Sequence, residues 1–177
     1  MSSSRFKTAA LLAVIALAVP LAGCAGNRGR TKADTSYVAR DVATLYNAAK
    51  GRLDRGDYKL AAALFDEVER QHPYSVWARR AQLMSAFSYY LARDYTESTS
   101  SAQRFLSIHP GNRDAPYAYY LIALNYYEQM SDVTRDQKIT QQALDAFGEL
   151  TRRYPTSRFA ADARLKVDLI RDHLAGK

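Results

Sequence analysis

Residues 56–73, GDYKLAAALFDEVERQHP, and residues 93–110, RDYTESTSSAQRFLSIHP, are two copies of one pattern. Gly56-Asp57-Tyr58 returns as Arg93-Asp94-Tyr95, and Gln71-His72-Pro73 returns as Ile108-His109-Pro110, both at an offset of about 37 residues, a period in the range of stacked supersecondary units. Ala49, Ala86 and Ala123 fall on the same period. Around them, apolar residues recur at three and four positions and no strict alternation lasts, which predicts helices and disfavours strands. Each unit is expected to be a helix, a short turn at the Asp-Tyr, a second helix, and a proline that ends it. The unit ending at Tyr154-Pro155 is longer by eight residues. The helix from Ala115 to about Met130 stays in register, so the extra length is placed at Ser131 to Lys138. That polar stretch reads either as a partner-contacting loop or as a tolerated surface insertion. Ser157 or Thr156 is expected to cap a last helix running to about Leu174.

The pattern resembles the tetratricopeptide repeat. The fold expected is all-α, a solenoid of about three helix pairs plus a terminal helix, occupying residues 42–177. The resemblance gives Ala49, Ala86 and Ala123 the role of small residues where paired helices approach most closely. It places Tyr58 and Tyr95 between the helices. Ala61 with Phe65, and Ala143 with Phe147, match the small-then-aromatic pair of the second helix. The second unit has Ser98 and Ala102 there, so its second helix is expected to pack less tightly.

The N-terminus carries a different message. Arg5 and Lys7 precede an uncharged stretch from Thr8 to Gly23. Its apolar core, Ala9 to Leu21, is shorter than the roughly 20 residues that span a bilayer, and residues 1–23 read as a secretion signal. Leu21-Ala22-Gly23-Cys24 resembles the bacterial lipobox, which implies cleavage before Cys24 and acylation of its thiol. Cys24 is the chain's one cysteine, so no intramolecular disulfide forms. The residue after it is Ala25 and not Asp, which the lipoprotein sorting rule associates with the outer membrane. Each buried acyl methylene contributes about 0.8 kcal/mol, so durable attachment takes more than one chain. Residues 24–41 are polar and lack either period; as a coil they would give the lipidated tether a reach of about 20–25 Å.

Loss of Arg5 and Lys7 lowers the 25 Lys plus Arg to 23 against 18 Asp plus Glu, a net of +5. This mild, dispersed excess does not predict a nucleic-acid partner. Arg79-Arg80 is the clear basic pair; a solvated surface and a functional patch are both open readings. No phosphate loop, dinucleotide motif, HExxH or second cysteine at ligand spacing occurs, so no catalytic residue, metal or cofactor is expected. His72 and His109 stand at equivalent helix ends, where a histidine suits the dipole, and His173 stands alone. Asp66 and Glu67 are adjacent in sequence and point to different helix sectors.

Thirteen tyrosines remain. In the register of the repeat family, Tyr46, Lys50, Arg80, Phe87, Tyr90, Tyr117, Tyr120, Tyr127 and Glu128 fall on the groove side of the first helices. A tyrosine there can bury its ring against an extended peptide and keep its hydroxyl bonded, and each has the alternative role of packing between repeats.

Beyond the generic repeat, Val68-Glu69-Arg70-Gln71-His72-Pro73-Tyr74-Ser75, Trp77-Ala78-Arg79-Arg80-Ala81-Gln82-Leu83-Met84, Pro116-Tyr117-Ala118-Tyr119-Tyr120, Tyr127-Glu128-Gln129 and Arg152-Arg153-Tyr154-Pro155 resemble the BamD family. These are lipoproteins of the outer-membrane β-barrel assembly (BAM) machinery. The resemblance covers Cys24 and nearly everything from about Asp41 onward. It implies a non-enzymatic adaptor, lipid-anchored at the periplasmic face of the outer membrane, that works with BamA and other BAM lipoproteins and binds unfolded barrel precursors. In the family the chain continues past the equivalent of Ala175-Gly176-Lys177 into repeats that carry much of the BamA contact, so this stretch is expected to be the client-facing part. The repeats alone would equally suit a lipoprotein that scaffolds cell-wall synthesis or hydrolysis enzymes.

Overall fold

The computed structural model describes residues 41–130 and 137–175. The secretion signal, Cys24, the tether up to residue 40, and residues 131–136 of the insertion lie outside the described residues, as does the side chain of His173.

Among the described residues seven helices follow one another: α1 (Val42–Asp54), α2 (Tyr58–Gln71), α3 (Val76–Leu91), α4 (Tyr95–Ile108), α5 (Ala115–Glu128), α6 (Gln137–Arg153) and α7 (Arg158–Ala175). No strand occurs among the described residues. The breaks fall where the repeated motifs predict them. At the Asp-Tyr turns, Gly56 takes φ 82° and Arg93 takes φ 59°. This left-handed step lets Asp57 N–H bond Arg52 C=O at 3.0 Å and Gly56 N–H bond Leu53 C=O at 3.0 Å, satisfying carbonyls the helix end leaves open. Asp94 to Tyr89 and Arg93 to Tyr90, both 2.9 Å, repeat the arrangement. At the other ends, His72 and His109 are C-caps whose N–H groups bond Val68 C=O (3.0 Å) and Phe105 C=O (2.8 Å). The proline after each has no N–H to continue the ladder. Starts are capped by Asp41, accepting from Thr44 N–H at 3.1 Å, and by Ser75, accepting from Ala78 N–H at 3.0 Å. Ser157 does precede α7, but its hydroxyl is buried with no bonding partner, so the expected side-chain cap is not formed. Gln137 and Lys138, placed in the insertion by sequence, are the first residues of α6.

Sequential helices pack on one another, and the first helices also meet: α1 with α3, α3 with α5, α5 with α7. The backbones of α2, α4 and α6 stay apart. The first helices are therefore on the inner, closely spaced side of the array. Ala49, Ala86 and Ala123 are all fully buried at the helix crossings. Three core clusters follow the units, centred on Phe65 with Leu45, on Phe105 with Leu121, and on Phe147 with Leu150.

The expected looseness of α4 is not what the structure holds. Ser98 and Ala102 are fully buried and Phe105 is 1% exposed. Large and small residues have exchanged places along the helix: Phe65 and Val68 in α2, and Phe147 and Leu150 in α6, correspond to Ala102 and Phe105 in α4. Ser98 donates to Ala86 C=O at 2.8 Å and accepts from the Asn125 amide at 2.9 Å, so its buried hydroxyl is satisfied.

Asp66 and Glu67 diverge as their spacing requires. Asp66 accepts from Ser85 (2.6 Å) and Tyr89 (3.0 Å) on α3 and from Arg104 (3.4 Å) on α4, while Glu67 binds Arg70 on its own helix. On α7 the leucines Leu165, Leu169 and Leu174 are exposed. Among the described residues no helix is long and apolar enough to cross a membrane.

Candidate partner-binding groove

The inner side of the array carries a cleft of about 740 Å³ between α1, α3 and the start of α5. Tyr46, Leu83, Met84 and Tyr117 give it an apolar floor, and Arg79, Arg80 and Arg113 stand at its rim. A second cleft of about 450 Å³ shares Leu83, Arg113, Asp114 and Tyr117 and runs on to Arg158 and Phe159 at the start of α7. The shared residues make one groove from the first unit to the last helix.

Its aromatic residues are set by the cores beneath them. Tyr46 meets the Phe65 ring edge-on at 5.3 Å and lies 4.8 Å from Trp77. Burial raises its pKa, against the lowering pull of Arg80 and Lys50. Tyr117 lies 5.4 Å from Phe159 and 6.5 Å from Phe87, and burial pushes its hydroxyl up to about 12. Both hydroxyls are neutral donors at physiological pH, suited to a backbone carbonyl of a bound chain.

Of the nine residues placed on the groove side by sequence, Tyr46, Arg80 and Tyr117 line these clefts together. Lys50 is exposed at the far end of α1 and paired with Asp54 at 2.8 Å. Phe87 and Tyr90 are partly buried and pack against the central core cluster; the Tyr90 hydroxyl reaches Glu128 at 3.5 Å, and its pKa is raised by burial and then by that carboxylate. Tyr120 and Tyr127 pack between helices. Tyr120 stacks on Phe159 at 5.1 Å and donates to Asp162 at 2.5 Å, binding α5 to α7, while Tyr127 meets Phe147 edge-on at 6.1 Å beneath Lys166.

Sequence reasoning missed Leu83, Met84, Arg113, Arg158 and Phe159. The Arg79-Arg80 pair carried a signal, because both stand in the first turns of a first helix. Arg158 and Phe159 are the first two residues of α7, at the places that Val76 and Trp77 hold in α3, and the repeat register did not put them among the groove residues.

Comparison with known proteins gives the context. The family model YfiO, described as outer membrane lipoprotein, matches residues 38–177. "Outer membrane protein assembly factor BamD" of Caulobacter vibrioides is 46% identical over 97% of this chain and 55% of its own length. The protein of the same name from Rickettsia prowazekii is 39% identical over 96% of this chain and 66% of its own, and that of Neisseria gonorrhoeae is 30% identical over 94% and 66%. The chain thus spans between about half and two thirds of these relatives. A solved structure titled "MamA RS-1 ArsTM double mutant" overlaps at TM-score 0.44 and 19% identity, covering 77% of this chain and 79% of that one, a likeness too loose to add to the fold. With the family model matching through every described helix, the chain belongs to the YfiO/BamD family of outer membrane lipoproteins.

Proposed function

We propose that this chain is a lipid-anchored, non-enzymatic adaptor at the periplasmic face of the outer membrane, where it binds unfolded β-barrel precursors and assists their insertion together with BamA and other BAM lipoproteins. The observation that carries this reading is the continuous groove with an apolar floor and a basic rim, on a chain whose relatives are named outer membrane protein assembly factors. An unfolded precursor offers unpaired backbone and alternating apolar side chains. A shallow groove with tyrosine hydroxyls and guanidinium donors answers both without selecting one sequence. Cys24, through its acyl chains and the polar tether, would keep the groove close to the membrane into which precursors insert.

The test is co-purification from detergent-solubilised membranes, with photo-crosslinkers placed at Leu83 and Tyr117. Barrel precursors should crosslink at both positions, and BamA should co-purify. Capture of cell-wall enzymes with neither BamA nor precursors would replace this reading with that of a cell-wall scaffold.

A further inference from the structure

We infer that the groove is charge-selective: it takes an extended peptide in which side-chain carboxylates flank a bulky apolar residue. This rests on the peptide-binding function proposed above and specifies the ligand of that same groove.

The argument starts from how the domain's cations are neutralised. Arg52 binds Asp57 at 3.0 Å, Arg104 binds Glu69 at 2.9 Å, and Arg70, Arg152 and Arg153 pair with glutamates on their own helices. Along the groove rim that pattern thins, and of its arginines only Arg113 has a carboxylate partner among the described residues. Among the described residues Arg79, Arg80 and Arg158 form no ion pair; Arg80 lies over the Trp77 ring at 5.8 Å and Arg158 over Phe159 at 4.6 Å. Arg113, its side chain 93% exposed, stands 3.8 Å from Asp114, the one carboxylate among the residues lining the two clefts. A guanidinium lying on a ring is held in place through its face while its N–H donors, all at the edge, stay open to a carboxylate. Among the described residues other cations without an ion pair, such as Arg55 and Arg93 in turns and Lys59, Lys138 and Arg171 on helices, do not line either cleft.

The floor supplies the second half of the recognition. In an extended chain successive side chains point to opposite sides, about 3.3 Å apart along the strand. An aromatic or long aliphatic side chain seated between Leu83 and Tyr117 therefore turns its two neighbours toward the rim, where the arginines stand. Carboxylates at those neighbours meet uncompensated positive charge; lysines there meet repulsion and gain only Asp114.

The experiment measures fluorescence anisotropy of labelled twelve-residue peptides, both ends blocked, with the full chain in non-ionic detergent. The central triplet is Asp-Phe-Asp, Lys-Phe-Lys or Asp-Ala-Asp. The Asp-Phe-Asp peptide should bind at least tenfold more tightly than either other, with the advantage over Lys-Phe-Lys shrinking as salt is added. Arg80→Glu combined with Arg113→Glu should reverse the charge preference at unchanged helicity. Should that double variant misfold, Arg113→Gln, at an exposed side chain, should cost the acidic peptide about threefold and strengthen the lysine peptide. Equal affinity for acidic and basic peptides overturns the inference while leaving peptide binding intact; failure of every peptide to bind overturns the proposed function as well. Displacement of the acidic peptide by phosphatidylglycerol doped into the micelles, with the same arginine dependence, reassigns the rim to lipid headgroups and overturns the inference too.

Discussion

Arg93 occupies the left-handed backbone position that Gly56 occupies one repeat earlier. A side chain there clashes with the following carbonyl, so the conformation costs about 1–2 kcal/mol for a residue other than glycine. Arg93→Gly should stabilise the domain by about 0.5–1 kcal/mol, part of the gain being returned through the freer unfolded chain; urea denaturation monitored by helicity measures it, and an unchanged midpoint contradicts it. Tyrosine ionisation offers a second check. Burial, then Asp66, pushes the Tyr89 hydroxyl up to about 12, and burial does the same for Tyr117. Both are raised above the ordinary value of about 10, so the neutral form is favoured by folding. Their contribution is complete below pH about 10 and is lost as pH rises toward about 12. An absorbance titration should show a late-ionising class of tyrosines, and thirteen groups all titrating near 10 would contradict the structure. The Asp-Tyr and His-Pro signals were legible because they are backbone chemistry, bound to particular residue types. The rim arginines were less so, since an unneutralised charge is defined by what does not lie beside it, and sequence does not show that.

At the scale of the helix, the alanine positions show how closely paired elements approach. Ala86 is fully buried where α3 meets α4, and Ala63, on the outer helix α2, is exposed. Ala86→Leu should cost about 1–3 kcal/mol by overpacking, whereas Ala63→Leu should stay within about 0.5 kcal/mol; parallel thermal melts separate them. The exchange of large and small residues in α4 explains why its packing was misjudged from sequence. A repeat template compares residues position by position, but a core is filled by volume, and Phe105 one turn along supplies what Ala102 lacks. Tyr120 teaches the same lesson. The register of the repeat family places it on the inner face, and only the presence of α7, with Phe159 and Asp162, turns that face into an interior contact. Tyr120→Phe should cost about 0.5–1.5 kcal/mol through the lost hydroxyl bond with little effect on peptide affinity. A peptide-binding loss without a stability loss would place the hydroxyl in the groove instead.

The proposed function divides its tasks along the length of the chain. The fold of residues 42–175 could be read because a repeat states the same rule several times, so that one ambiguous helix is corrected by its neighbours. The proposed anchor rests on the four residues Leu21-Ala22-Gly23-Cys24, which lie outside the described residues, so its test is biochemical. Cys24→Ser should move the chain from the membrane fraction to the soluble fraction with its helicity unchanged; continued sedimentation with membranes would mean that something other than acyl chains holds it there. Apart from the Arg104 ion pairs that tie α4 to Asp66 and Glu69 of α2, each helix meets only its chain neighbours and, on the inner side, the next first helix, as in other stacked repeats, so an empty array can open at either end without disturbing the middle. A peptide lying along the inner side would contact α1, α3, α5 and α7 at once. Occupancy would then act as a splint, joining units that otherwise fluctuate separately, and hydrogen exchange in α1 and α7 should slow together on binding although the two helices do not meet.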